Sequence, residues 1–274
     1  MSSPRAAAGP GPRGGEGAAQ AAAAIERAAA GLPAPGIVVA PSLEDASRRA
    51  AQETAEILER AVSHRGVAHL ALTGGSAGVT LADMLAEQLS ALPASVLGSI
   101  HLWFGDERFV PLGDEQRNDL LAAPLVQAGI PEPTVHRLAG PEQVADLEEA
   151  TARLAQDLAE HGPQDGSFDV IHLGLGPDAH VCSLFPAHPA ALITGVSTVA
   201  VDHSPKPPPQ RCSLTFDVIH RAGEVMVVAG GAGKARAVSE SLAGPDVVAA
   251  PASCARGQAT TWYLDTAAAA GAPS

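Results

Sequence analysis

Residues 67–85 read VAHLALTGGSAGVTLADML. The apolar run Ala68–Leu72 is closed by a glycine turn, Gly74-Gly75-Ser76-Ala77-Gly78, and helix-forming residues follow from about Val79 to Ser90. A short apolar run bounded by glycines predicts a buried strand, and the change of period beyond the turn predicts a helix. Strand, turn and helix in that order are the building unit of a parallel sheet. Two chemistries share the turn. G-x-S-x-G between a strand and a helix is the pattern of a nucleophile elbow. A glycine turn opening a helix is equally a phosphate cradle, in which backbone N–H groups and the helix dipole hold an anion.

The same alternation continues outward from this stretch. Upstream, Ile37–Val39 is a short strand, and Ser42 with Asp45 three residues on signals the start of a helix running to about Ser63. Downstream, strands are expected at Ser99–Phe104, Phe168–Leu173, Gln210–Thr215, Glu224–Ala229 and Thr260–Leu264. Helices are expected at Asn118–Ala128, over Pro141–Glu160, where Val144, Leu147, Leu154 and Leu158 share a face, and after GGAGKA at 230–235. The pattern predicts an α/β fold: a mainly parallel, Rossmann-like open sheet with helices on both faces, in one domain spanning 37–266. Residues 1–36 are Ala/Gly/Pro-rich with few large apolar side chains, which predicts a disordered tail with at most a transient helix near Ala21–Ala30. Residues 267–274 are expected to be a flexible C-terminus.

The 274 residues are 46% apolar but only 3% aromatic, so Ala, Val and Leu must fill the core. A formal net charge of −13 argues against nucleic acid or an anionic membrane as partner, because both demand clustered Lys and Arg. No apolar run is long enough to span a bilayer, and no signal peptide is evident at the start, so a cytoplasmic location is the default expectation. Cys182, Cys212 and Cys254 are too few and too scattered for a disulfide framework or a zinc motif and read as small buried hydrophobes. No group of His, Cys, Asp or Glu shows metal-ligand spacing, so neither a metal nor another cofactor is expected.

Ligands of open α/β sheets bind beyond the carboxyl ends of the strands, and most of the polar motifs follow an apolar strand directly. GLGPDAH, 174–180, places Asp178 and His180 on a glycine-rich loop, a histidine and carboxylate suited to taking a proton from water near neutral pH. Two loop-capping residues would have the same local sequence. His172, within the preceding strand, reads as a core histidine. WFGDERFVP, 103–111, sets Asp106, Glu107 and Arg108 at a strand end; Arg108 offers a fork of donors to phosphate or carboxylate, whereas Glu107 reads as a solvated loop charge. SPKPPPQRCSLT, 204–215, carries Lys206 and Arg211 on a proline-rich loop suited to selective anion binding, with a polyproline partner motif as the competing use. GGAGKA lacks the first glycine and the terminal Ser or Thr of a Walker A loop, having Val228 and Ala235 in those places, but Lys234 at a helix start suits a single phosphate.

Taken in order, TGGS (73–76), WFGDERFVP, GLGPDAHVCSLFP (174–186), KPPPQRCSLT (206–215) and GAGKA (231–235) resemble the 6-phosphogluconolactonase family, within the wider group that includes glucosamine-6-phosphate deaminase. The resemblance spans roughly residues 37–266 and implies hydrolysis of 6-phospho-D-glucono-1,5-lactone to 6-phosphogluconate, in the pentose phosphate pathway. It implies His180 as general base with Asp178 beside it, and Gly74, Gly75, Ser76, Arg108, Lys206, Arg211 and Lys234 around the phosphate and hydroxyls, with Asp106 lining the sugar site. The implied partner is a small phosphosugar lactone, bound by a monomer or small homo-oligomer. An isomerase or deaminase, or a non-catalytic sugar-phosphate binder, are the alternatives. The family's D-G-H is Asp178-Ala179-His180 here, and its S-N is Arg117-Asn118. An alanine at a left-handed glycine position costs about 1 kcal/mol or more.

The motifs also decide between the two uses of Ser76. A serine hydrolase of the elbow type needs an oxyanion loop upstream, but roughly 40 residues of expected structure precede Ser76, mostly one helix. Ser76 therefore reads as a phosphate clamp at a helix start.

Overall fold

Two mainly apolar runs, Ala68–Leu72 and Glu224–Ala229, are buried along their whole length, as strands covered on both faces must be. A computed structural model describes residues 15–273. In chain order the elements are α1 (Gly15–Ala30), β1 (Gly36–Ala40), α2 (Leu43–Arg65), β2 (Ala68–Leu72), α3 (Gly75–Leu89), α4 (Ala94–Leu97), β3 (Ile100–Phe104) and β4 (Asp106–Arg108). There follow α5 (Ala122–Gln127), α6 (Leu147–His161), β5 (Val170–Gly174), β6 (Thr198–Val201), β7 (Arg211–Leu214) and α7 (Phe216–Ile219). The chain finishes with β8 (Glu224–Ala229), α8 (Ala235–Leu242), β9 (Ala259–Asp265) and α9 (Thr266–Ala269).

Six strands form one parallel sheet in the order β1-β9-β8-β5-β2-β3, so the expected α/β architecture is present. One apolar core covers one face, packing α2, α3 and α5 against the sheet; the other includes Ile25 of α1, Val238 of α8 and Ala268 of α9. The chain leaves β2 to one side for β3 and returns to the other side for β5. That reversal opens a crevice beyond the strand ends, between the loops after β2 and β5.

α2 shows how local sequence sets a boundary. The Ser42 hydroxyl accepts the N–H of Asp45 at 3.1 Å and donates to its carboxylate at 2.7 Å, and Gly66 ends the helix at φ 78°.

Four expectations are corrected. First, α1 is a packed helix. Ala22, Ile25 and Ala29 are buried in the core, and the Glu26 carboxylate accepts the N–H of Val247 at 3.2 Å. A face of alanines around one isoleucine looks too poor to order a segment, yet it packs closely against the turns at Pro189–Leu192 and Pro251–Cys254. The expected tail's residues 1–14 lie outside the described residues. Second, the chain after residue 266 forms α9, capped by the Asp265 carboxylate accepting the N–H of Ala268 at 2.7 Å, with Ala268 fully buried. Third, α6 begins only at Leu147, because the Asp146 side chain caps it through the N–H of Glu149 at 2.8 Å. Fourth, β4 and β6 are strands that the sequence pattern did not reveal. With β7 they make a small antiparallel sheet, β4-β7-β6, at one end of the crevice. Among the described residues, no helix is long and apolar enough to cross a membrane.

Candidate active site

The glycine turn after β2 is tighter than its sequence suggested. α3 starts at Gly75 instead of Val79, so Gly75, Ser76 and Gly78 lie in its first turn, where N–H groups lack partners within the helix. Gly75 takes φ 78°, the left-handed region. A Cβ on Gly74 would sit 2.0 Å from the side-chain oxygen of Asn118, and one on Gly78 would sit 1.9 Å from the carbonyl of Thr73. The Thr73 hydroxyl accepts the N–H of Gly174 at 2.8 Å, tying this turn to the loop after β5.

That second loop carries His180. Gly176 donates its N–H to the His180 carbonyl at 2.9 Å, and Ala179 donates back to the Gly176 carbonyl at 3.0 Å, closing a compact turn. Ala179 is fully buried at φ 59°, the conformation in which glycine would be favoured. Its carbonyl accepts the N–H of Ala252 at 2.9 Å, and this packing holds the strained residue in place. The imidazole Nδ1 lies 2.7 Å from the Asp178 carboxylate, and the ring rests beside Phe185 with centroids 4.5 Å apart. The Lys206 ammonium is 3.0 Å from the same Asp178 oxygen and 3.1 Å from Nδ1. Burial alone would raise the Asp178 carboxyl, but the His180 hydrogen bond and charge and the Lys206 ammonium outweigh it and hold it well below the usual carboxylate range.

β4 separates its side chains by strand alternation. Asp106 and Arg108 face the crevice, and Glu107 points the other way. Glu107 is buried, contrary to the expectation of a solvated charge. Its carboxylate accepts the N–H groups of Arg108 at 2.8 Å, Asn118 at 2.7 Å and Asp119 at 2.8 Å. Burial pushes its carboxyl up to about 7, against the pull of those donors and of Arg117. Arg117 is itself buried, and donates to Asp119 at 2.8 Å and to the carbonyls of Val110 at 3.0 Å and Leu138 at 2.7 Å. This long cation thus braces the loop.

Asn118, to which the motif reading gave no role, joins two of the residues at the crevice. Its side-chain oxygen accepts from Arg108, and its amide donates to the Asp106 carboxylate at 3.1 Å and carbonyl at 2.7 Å. Asp106 also accepts from the Ser183 hydroxyl at 2.6 Å and faces Arg211 at 3.7 Å. Asp106 therefore holds three neighbours in register. Arg211 spends most of its donors on the proline loop, bonding the carbonyls of Pro208 at 3.1 Å, Pro207 at 3.0 Å and Lys206 at 3.2 Å. Lys234 donates to the Leu175 carbonyl, and burial, reinforced by the Lys206 charge, lowers its pKa.

These loops enclose a cavity of about 300 Å³. Gly74, Gly75, Ser76, Asp106, Arg108, His180, Lys206, Arg211 and Lys234 all line it. Asp178 does not line the cavity; it stands beside His180, in contact with the ring and with the Lys206 ammonium. His172 is a core histidine, 2.8 Å from the Thr54 hydroxyl and lowered by burial to about 3. The three cysteines are free and buried, Cys182 at the cavity wall, where burial keeps its thiol protonated.

Comparison with known proteins places this arrangement. Residues 41–263 match the family of glucosamine-6-phosphate isomerases/6-phosphogluconolactonase. The chain belongs to this family. Within it, the 6-phosphogluconolactonase of Streptomyces coelicolor is 44% identical over 223 residues, 78% of this chain and 85% of the relative. The human 6-phosphogluconolactonase is 34% identical over 253 residues, 86% of this chain and 94% of the relative. The solved 6-phosphogluconolactonase of Trypanosoma brucei superposes with a TM-score of 0.74 at 28% identity, covering 86% of this chain and 97% of that one. These 6-phosphogluconolactonase relatives are matched over most of their length.

Proposed function

We propose that this chain hydrolyses 6-phospho-D-glucono-1,5-lactone to 6-phospho-D-gluconate, with His180 taking the proton from the attacking water. The observation that carries this is that the His180 imidazole faces the same cavity as Ser76, Arg108 and Lys234, with its Nδ1 held by Asp178.

With the proton on Nδ1 donated to Asp178, the lone pair on Nε2 is free to accept from water. The water oxygen attacks the lactone carbonyl carbon as its proton passes to Nε2, and negative charge develops on the carbonyl oxygen. Asp178 stabilises the imidazolium formed in that step. Collapse of the tetrahedral intermediate breaks the bond to the ring oxygen, which takes the proton back from Nε2 and becomes the hydroxyl of the open acid. A lactone is already an activated ester, so one base of matched pKa suffices without a covalent intermediate. The 6-phosphate fits the first turn of α3, where the N–H groups and the Ser76 hydroxyl meet the cations Arg108 and Lys234 across the cavity. Lys206 and Arg211 complete the positive lining, Arg211 chiefly by holding the proline loop in shape.

Following acid release from freshly generated lactone, above its spontaneous hydrolysis, tests the assignment. His180→Ala should lower kcat by on the order of 10²-fold or more, while Ser76→Ala should mainly raise KM. Loss of turnover in Ser76→Ala with labelling of the wild type by a serine-acylating reagent would reverse the two roles.

A further inference from the structure

Beyond the β3 edge of the sheet, three histidines and a carboxylate gather that the proposed hydrolysis does not use. His136 follows the turn at Glu132–Thr134 and is tied to the sheet edge, its N–H donating to the Leu102 carbonyl at 2.9 Å. Asp157 and His161 stand one turn apart on α6, on the same face of the helix. The Nδ1 of His136 lies 2.8 Å from one Asp157 oxygen, and the Nδ1 of His161 lies 2.7 Å from the other. The three donor atoms are all within 4.8 Å of one another. Asp157 and His161 have helical i, i+4 spacing in the sequence, but His136 is 21 residues from Asp157 and only the fold brings it to them.

We propose that His136, Asp157 and His161 form a surface site for a divalent first-row transition ion of the zinc class, outside the lactone cavity. Two imidazole nitrogens and one carboxylate are the donor set such ions prefer, whereas calcium and magnesium require an all-oxygen shell. A tetrahedral zinc at about 2.1 Å from each ligand separates its donor atoms by about 3.4 Å, so the three groups need only open slightly around the ion. Binding exchanges each Nδ1–H hydrogen bond to Asp157 for a metal bond and moves the ring proton to Nε2, with no net change of charge on neutral rings. The His136 ring is built for that state. Its Nε2 lies 2.9 Å from the Nδ1 of His101, an acceptor for the relocated proton of the kind that metal-bound histidines use. Trp103 stacks flat on the His136 ring, centroids 3.7 Å apart and planes 2° off parallel, and locks its orientation. His161 is exposed and Asp157 half-exposed, which leaves an entry path and an open fourth position for water. The ion would clip α6 to the edge of the sheet.

The test is calorimetric titration of the chelator-treated full chain with zinc chloride, alongside His161→Ala and Asp157→Asn. His161 is exposed, so its alanine variant should fold normally. The expected result is one zinc equivalent whose affinity falls at least about tenfold in either variant and is unchanged in His180→Ala. Zinc should also shift the ring nitrogen NMR signals of His136 and His161. Absence of saturable binding, or binding that His161→Ala leaves unchanged, would overturn the proposal and reduce the cluster to hydrogen bonds alone.

Discussion

Gly176→Ala isolates the position of the His180 ring, the proposed base, from its chemistry. An ideal Cβ on Gly176 would lie 1.8 Å from His180 Nδ1, 2.1 Å from its Cε1 and 2.5 Å from the Asp178 carboxylate. Comfortable contact begins near 3.4 Å, so the imidazole must retreat by about 1.6 Å and lose its hold on Asp178. Misplacement of a reacting group by about 1 Å costs on the order of 10²-fold in rate, so kcat should fall at least that far, about 3 kcal/mol of transition-state stabilisation. The backbone at Gly176 is outside the left-handed region and the obstructing atoms are side-chain tips on a loop, so the fold should tolerate the change. A shift in Tm of no more than about 2–4 °C is expected, equivalent to about 1 kcal/mol. Gly233→Ala is the control: its added methyl meets nothing within 4 Å, though it neighbours Lys234, and it should leave kcat unchanged. Lactone hydrolysis followed by acid release, with thermal unfolding of each variant, reads both effects. A folded Gly176→Ala protein with kcat within about threefold of the parent would refute the placement of His180 as the base.

Three further outcomes are expected. Glu107→Gln replaces an acceptor of three N–H groups, two of them buried, with an amide that can accept at only one end, and urea unfolding should show a loss of about 1–3 kcal/mol. Ile25→Ala, which truncates the one large buried side chain of α1, should cost about 2 kcal/mol or more in the same assay, whereas a disordered segment would show no change. His172 has a folded pKa near 3 against 6.5 for a free histidine, so the folded state resists a proton that the unfolded chain accepts. Its contribution is complete above pH 6.5 and is lost as pH falls toward 3, and His172→Leu should flatten the stability profile there by up to about 1.4 kcal/mol per pH unit.

Much of the molecule was legible in one dimension because its signals are local. Ala68–Leu72 and Glu224–Ala229 are short, mainly apolar runs bounded by glycine, which suit strands buried on both faces, and Ser42 announces α2 within three residues. The rule that loops at strand ends gather the ligand site then put Ser76, Arg108, His180, Lys206 and Lys234 around one cavity. Where partners lie far apart in the chain, the sequence was silent. Asp106–Arg108 is a strand because β7 pairs with it, and Glu107 is buried because Asn118 and Asp119 turn their N–H groups toward it. α1 is ordered because turns about two hundred residues away present a surface that its alanines fit.

Periodicity, glycine turns and caps are properties of neighbouring residues, so the sequence by itself determined the parallel α/β architecture and which loops line the cavity. The tertiary structure alone decided the tasks of individual charges: that Asp178 backs the ring of His180, that Arg211 braces a loop, and that His136 meets Asp157 and His161. A charge acquires its role from what lies within about 4 Å of it, and those neighbours are chosen by long-range packing.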